Sequence, residues 1–322
     1  MGRKILVTGG AGFIGRHLVD KLIELGHEVV VIDNLSKGKE KKANLPAGEI
    51  QQERHYQLYP WSLDAPEVEE IFRKGVDIVV HLAAQVSVRK SVEDPFDDAY
   101  NNILSGLKML EYCRKYRVKK VIYANSAAEV GNPQYLPLDE KHPTAPLSPY
   151  GLSKKTFGEY LQLYGKLFGL RYTSLRLANV YGPGQEGSKE CGVVPLFISK
   201  MLESAPVAII GDGQQTRDFV YVGDVVEAII AVLGDLGNGE QYNIGSGKET
   251  SVNELFYLIR ELAGSGLPPS YSAAGEGELK RCVFSISKAK KEIGWQPQTD
   301  LKTGLKKTID YLNRRDCFKQ EE

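Results

Sequence analysis

The run Lys4-Ile5-Leu6-Val7-Thr8 empties into Gly9-Gly10-Ala11-Gly12-Phe13-Ile14-Gly15, and a pattern of helical period follows to about residue 25. An apolar strand that turns through glycines straight into a helix is the opening of a βαβ unit, so the chain is committed to a parallel sheet covered by helices. Each glycine has a separate task. Gly9 permits the sharp turn, Gly12 removes a Cβ that would keep an anion from the backbone, and Gly15 lets helix pack closely on strand. The helix amino terminus then offers unpaired N–H groups and a partial positive charge, suited to a pyrophosphate. A tight βα turn with no ligand would use the same glycines, so the rest of the chain has to decide.

Short β-branched runs near 4–8, 28–32, 55–59, 77–82, 120–126 and 171–177 alternate with helical segments near 13–25, 66–73, 97–116 and 150–168. That alternation predicts an α/β fold with a Rossmann-type doubly wound parallel sheet. Gly26 suits the left-handed position just past the first helix. Five prolines between residues 132 and 149 predict an irregular loop across the sheet's carboxyl edge, after which Ser148 reads as an N-cap and Pro149 as the first helical residue. Beyond about residue 178 the rhythm loosens, with glycine and proline clusters at 182–192, 211–215 and 264–277. The expected division is a dinucleotide-binding domain over 1–178, rejoined by about 216–236, and a smaller, interleaved substrate lobe over 179–322. Phe219–Leu233 and Leu301–Leu312 are the segments whose pattern suggests a return to the first body.

Lys plus Arg and Asp plus Glu number 41 each, which leaves no basic face for nucleic acid. The mixed run Lys37–Lys42 reads as a solvated loop. The short apolar run Ile5–Val7 is neither a signal segment nor a membrane span, and nothing later is long enough to cross a bilayer. Cys113, Cys191, Cys282 and Cys317 lack metal-ligand spacing, as do the five histidines, so a cytoplasmic protein without a metal is expected.

Four further positions carry chemistry. Asp33 stands twenty-four residues after Gly9, near the spacing at which an acid accepts hydrogen bonds from an adenine ribose, and its charge favours NAD over NADP; the competing role is to cap its own turn. Tyr150 and Lys154, at i and i+4, share a helix face. A free phenol has a pKa of about 10, and a nearby ammonium together with a nicotinamide cation would lower it toward that of a working base. Ser126 ends a strand, where its hydroxyl can bond the same substrate oxygen. His81 reads as an interior histidine, and Leu82, Ala83 and Ala84 after it are small enough to let a ligand approach the backbone.

The motifs Gly9-x-x-Gly12-x-x-Gly15, His81-Leu82-Ala83-Ala84, Ser126, Tyr150-x-x-x-Lys154, Leu175-Arg176-x-x-Asn179-x-Tyr181-Gly182-Pro183, Thr216-Arg217-Asp218-Phe219 and Ser287-Lys288-Ala289 together resemble the extended short-chain dehydrogenase/reductase superfamily. Within it the chain is most similar to the NAD-dependent epimerase/dehydratase family, on the side of the UDP-glucose 4-epimerases. The resemblance implies NAD held by Gly9, Gly12, Phe13, Ile14, Gly15, Asp33, Asn34, Leu82, Ala83, Ala84, Asn102, Tyr150 and Lys154. It implies a nucleotide-diphosphate sugar, UDP-linked, held by Ser87, Ser126, Asn179, Val193, Arg217, Glu278 and Cys282. The implied reaction is C4 epimerisation: Tyr150 takes the 4-hydroxyl proton, C4 gives hydride to NAD, and the 4-keto sugar turns over and receives it on the other face. Ser126, Tyr150 and Lys154 are the catalytic set, Asn102 orders it, and helices 97–116 and 150–168 are those of the superfamily's homodimer contact.

Departures accompany the likeness. Trp61 stands where an aspartate usually meets adenine, Gly275 where an arginine usually holds the diphosphate, and Glu129-Val130 where valine-tyrosine is usual. Family dehydratases carry acids directly after the serine position, whereas Ala127 and Ala128 follow here. Glu129 is either a displaced acid or an ordinary strand-end glutamate facing solvent. Cys282 stands at a gate position where a bulky tyrosine would crowd an N-acetyl group. A related dehydratase, decarboxylase or reductase, and a catalytically silent NAD sensor, are the competing readings.

Overall fold

The computed structural model describes residues 2–36, 51–53, 55–185, 192–273 and 279–319. They divide into two compact units. The first comprises Met1–Glu129, Ser148–Arg176 and Ala228–Tyr242, and the second comprises Val130–Leu147, Leu177–Glu227 and Asn243–Glu322.

The elements in chain order begin with β1 (Lys4–Thr8), α1 (Phe13–Glu24), β2 (Glu28–Ile32), β3 (Gln51–Glu53), β4 (Tyr56–Tyr59), α2 (Val68–Arg73) and β5 (Ile78–His81). Next come α3 (Val88–Glu93), α4 (Pro95–Ala99), a π-helical turn at Tyr100–Leu104, α5 (Ser105–Lys115), β6 (Lys120–Ser126), a 3-10 turn at Ala127–Glu129, α6 (Pro149–Phe168) and β7 (Arg171–Leu177). Then follow β8 (Asn179–Tyr181), α7 (Val193–Leu202), β9 (Ala208–Ile210), β10 (Thr216–Arg217), β11 (Phe219–Tyr221), α8 (Val222–Ala231) and β12 (Glu240–Ile244). The last are β13 (Thr250–Ser251), α9 (Val252–Ala263), β14 (Ser270–Ser272), α10 (Ser287–Glu292) and α11 (Leu301–Lys319).

The main sheet has the order β12-β7-β6-β5-β1-β2-β4-β3. β1 pairs in parallel with β2 and β5, β2 with β4, and β5 with β6, while β3 is antiparallel to β4. This is the Rossmann-type α/β architecture that the alternating pattern predicts. Ile5, Leu6, Val7, Val79 and Val80 are wholly buried, as in a parallel sheet covered on both faces. Each such side chain contributes roughly 1.5–3 kcal/mol by leaving water. The order runs outward from β1 in both directions, so the crevice at the carboxyl ends of β1 and β5 is the switch point where such sheets bind ligands. Thr8 lies opposite His81, and Leu82 N donates to Thr8 O at 3.1 Å, so the glycine loop and Leu82–Ala84 leave the sheet at this same edge.

Local signals account for the ends of the helices. Ser148 Oγ accepts from Gly151 N at 3.1 Å, Pro149 occupies the first turn, and Gly169 ends α6 at φ +69°. Gly26 takes φ +77° after α1. The single helix expected over 97–116 is instead α4, the π turn and α5, and α3 has no counterpart in the pattern. Leu301–Leu312 does not return to the first unit: Leu305, Ile309 and Leu312 are buried in the second unit's core with Phe197, Phe256 and Tyr181.

Candidate active site

The glycine turn is built as its spacing suggests. Gly9 has φ +71°, a conformation that L side chains rarely adopt, and a Cβ there would stand 2.7 Å from Ala83 N. At Gly15 a Cβ would lie 2.6 Å from Gly10 Cα and nearer still to Gly9 O, so any side chain would force the helix off the loop. No side chain caps α1 at Gly12, and no acidic residue occupies its first turn, leaving the positive end of the helix open to an anion. Phe13 and Ile14, both half-buried, form that first turn. Asp33 Oδ2 accepts from Ala11 N at 3.0 Å and Oδ1 from Leu35 N at 2.9 Å, so this carboxylate ties the glycine loop and closes its own turn. The two roles weighed for Asp33 are compatible, since a carboxylate has about four acceptor sites. Asn34 beside it is exposed. Trp61 packs on Tyr59, ring centroids 4.7 Å apart. A cradle that a Cβ would fill, an uncapped helix end and an acid at the end of β2 fit a dinucleotide.

His81 is an interior histidine. It is buried, its Nδ1 lies 2.7 Å from Thr8 Oγ1, and burial followed by the Lys154 charge lowers its pKa to about 3.

Ser126, Tyr150 and Lys154 converge where β6 ends and α6 begins. Ser126 stands beside the Tyr150 phenol, where its hydroxyl favours the ionised form, and Lys154 Nζ lies 6.0 Å from the Tyr150 ring centre. Lys154 is buried, donates to Ala124 O at 3.0 Å and sits 5.0 Å over the Tyr123 ring. Burial lowers its pKa to about 8, against the opposing pull of Asp98. The expected lowering of the Tyr150 phenol needs the nicotinamide cation as well as the ammonium, and the chain's own groups act the other way. Burial is the largest influence on Tyr150 and raises its pKa, the Ser126 hydroxyl opposes that rise, and Asp98 adds to it.

Asn102 lies in the π turn, a geometry that often marks functional sites. Its side chain accepts from Gln85 N at 2.8 Å and donates to Gln85 O at 3.0 Å and Asp98 Oδ1 at 2.9 Å. Asp98 is fully buried and also accepts from Ser153 Oγ at 2.6 Å, the residue next to Lys154. Asp98, Gln85 and Ser153 were missed by sequence reasoning; the one available signal was the i, i+4 spacing of Asp98 and Asn102. Ser87 is buried and caps α3, accepting from Lys90 N at 3.2 Å.

In the second unit, Asn179 opens β8, lies in register with Phe219 and donates from its backbone to Asp218 O at 2.9 Å. Arg217 donates from Nη1 to Thr216 O and Leu279 O, both at 2.8 Å. The neighbouring Asp218 is wholly buried and accepts from Ser246 N and Oγ, Gly247 N and Phe284 N, which makes it the hub of this region. Cys282 is buried here, and burial pushes its thiol up to about 11. Val193 opens α7 and packs on the second unit's core. Glu278 and Gly275 lie outside the described residues, as does Lys37–Lys42.

A dinucleotide cradle at the head of a parallel sheet, with serine, tyrosine and lysine assembled on β6 and α6, defines an oxidoreductase-type site of the short-chain dehydrogenase/reductase class. The NAD dependent epimerase/dehydratase family matches residues 5–245. The chain is 46% identical over 309 residues to a putative UDP-glucose 4-epimerase of Methanocaldococcus jannaschii, covering 96% of this chain and 98% of that one. It superposes with a TM-score of 0.91, at 42% identity over 97% of this chain and 99% of the other, on the crystal structure of UDP-glucose 4-epimerase from Thermotoga maritima with UDP-glucose. A UDP-N-acetylglucosamine 4-epimerase from Methanobrevibacter ruminantium, in complex with UDP-N-acetylmuramic acid, gives 0.90 at 34% identity over 98% of this chain and 99% of that one. The chain belongs to the NAD-dependent epimerase/dehydratase family, among relatives that include UDP-sugar 4-epimerases and, at 34% identity over 97% of this chain, a UDP-N-acetyl-alpha-D-glucosaminuronate decarboxylase of Bacillus cytotoxicus.

Proposed function

We propose that this protein epimerises C4 of a UDP-hexose or UDP-N-acetylhexosamine with NAD as resident cofactor. The observation that carries the reading is the convergence of Ser126, Tyr150 and, one helical turn on, the buried Lys154 at the junction of β6 and α6, in a chain whose relatives act on UDP-sugars. NAD would be held by Gly9, Gly12, Phe13, Ile14, Gly15, Asp33, Asn34, Leu82, Ala83, Ala84, Asn102, Tyr150 and Lys154, and when bound it supplies the reversible hydride acceptor. Tyr150 Oη takes the proton of the sugar 4-hydroxyl and later returns one. Ser126 Oγ shares that proton and stabilises the phenolate against the cost of its burial. Lys154 supplies the positive charge beside it, and Asn102, fixed by Asp98 and Gln85, keeps the helix face in place.

Asn179, Val193, Arg217, Glu278 and Cys282, with Ser87, form the substrate set. Arg217 meets the diphosphate through charge-assisted hydrogen bonds. Cys282, its thiol neutral at ordinary pH, acts by its small size and leaves room for an N-acetyl group. Dehydration is disfavoured because Ala127 and Ala128 carry no acid and Glu129 is buried against Arg176. A homodimer is proposed from the exposed apolar residues of α4, the π turn and α6, which include Phe96, Leu104, Leu152, Leu163 and Leu167, and sedimentation tests it. No described helix is long and apolar enough to cross a membrane, and we place the protein in the cytoplasm.

The test is incubation with a panel of UDP, GDP, CDP and dTDP sugars followed by separation of products. An epimerase yields an isomer of unchanged mass with no net NADH. A dehydratase, decarboxylase or reductase changes the mass, and a silent sensor yields nothing.

A further inference from the structure

Behind Ser126 lies a closed polar chain that the proposed reaction does not use. Glu129 and Arg176 are both almost wholly buried, with Arg176 Nε 2.5 Å from Glu129 Oε1. The same Oε1 accepts from Gln241 Nε2 at 3.2 Å, and Gln241 Oε1 accepts from Ser174 Oγ at 3.1 Å. Glu129 Oε2 accepts from Asn125 Nδ2 at 2.6 Å, and Asn125 Oδ1 accepts from the backbone N of Ser126 at 2.7 Å. Both carboxylate oxygens are thus committed, which removes Glu129 as a displaced acid and as a solvent-facing glutamate. The Ser126 hydroxyl meanwhile accepts from Ala128 N at 3.2 Å, in the turn that ends at Glu129, and stands beside the Tyr150 phenol, whose ionised form it favours. Glu129 therefore grips the segment carrying Ser126 from both sides, through Asn125 and through its own turn. A buried ion pair is costly to build and is weak evidence for stability as such, so a function in fixing geometry is the natural account.

We propose that the buried Glu129–Arg176 pair is a positioning device for Ser126, acting through Asn125 to hold the serine hydroxyl against Tyr150. This rests on the catalytic reading of Ser126 and Tyr150.

Removing one partner alone would strand a buried charge and risk misfolding. The test variant is therefore the pair Glu129→Val with Arg176→Met, made in the wild-type background and again with Ser126→Ala. For turnover of UDP-galactose the pair should lower kcat about a hundredfold with little change in KM, as a catalytic group displaced by about 1 Å does. In the Ser126→Ala background it should cause almost no further loss. Titration of tyrosinate absorbance, with Tyr150→Phe subtracted, should show Tyr150 ionising at higher pH in the pair variant, by as much as in Ser126→Ala. Equal losses in both backgrounds, or an unmoved Tyr150 titration in a folded pair variant, would overturn the proposal. Absence of turnover in the wild type would instead sink the proposed reaction, and the titration would still decide whether the pair acts through Ser126.

Discussion

Acidification should destabilise this protein through His81 in particular. The ring ionises at 6.5 in the unfolded chain and at about 3 in the folded one, chiefly because burial excludes the charged form and secondarily because Lys154 is nearby. Between these values the unfolded chain binds one more proton than the folded chain, so unfolding takes up a proton and stability falls as pH is lowered. The slope is about 1.4 kcal/mol per pH unit, which accumulates to about 5 kcal/mol over the full interval. Above pH 6.5 the dependence vanishes. His81→Asn is a suitable control, because its amide can keep a polar atom near Thr8 Oγ1, now 2.7 Å from Nδ1, while removing the titration. Urea unfolding at pH 7, 6 and 5 should show the wild type losing stability faster than the variant by about that slope, since the carboxylates titrating over the same range cancel in the difference. Parallel curves for the two proteins would refute the reasoning.

Lys154 should make activity and stability move in opposite directions. As pH rises through about 8 it loses its charge and turnover falls; without NAD, the protein gains about 3 kcal/mol between pH 8 and 10.5 as the cost of burying that charge is relieved, a gain that Lys154→Met abolishes in denaturant titrations. Gly15→Ala should weaken NAD binding at least tenfold and lower the melting temperature, because its Cβ meets backbone that cannot swing aside; unchanged affinity measured by calorimetry would contradict the packing argument. Cys282→Tyr should spare UDP-galactose turnover and suppress that of UDP-N-acetylgalactosamine, and an equal effect on both substrates would remove the gate role.

What the sequence made legible was local. The strand-glycine-helix junction at Lys4–Glu24, the Ser148 cap and the pairing of Tyr150 with Lys154 rest on residues within a few positions of one another, where propensity and spacing act directly. What stayed hidden depends on distant partners. Glu129 is buried because Arg176 neutralises it from 47 residues away, and Asp98 is buried because Ser153 meets it from 55 residues away. The break of the expected 97–116 helix into a π turn leaves no mark in the apolar period. Spacing cannot report desolvation: burial raises the Tyr150 phenol in the chain alone, before any nicotinamide charge is added. The pattern at Leu301–Leu312 shows an apolar face without showing which core it enters.

The central claim is that Tyr150 moves the proton in an NAD-dependent inversion at C4. The most direct measurement compares wild type with Tyr150→Phe, both shown to be folded and to bind NAD, for conversion of UDP-galactose to UDP-glucose. Steady conversion by the wild type and nearly complete loss in the variant, with NAD still bound, are expected. Conversion retained by Tyr150→Phe, or no isomer from the NAD-loaded wild type, would contradict it.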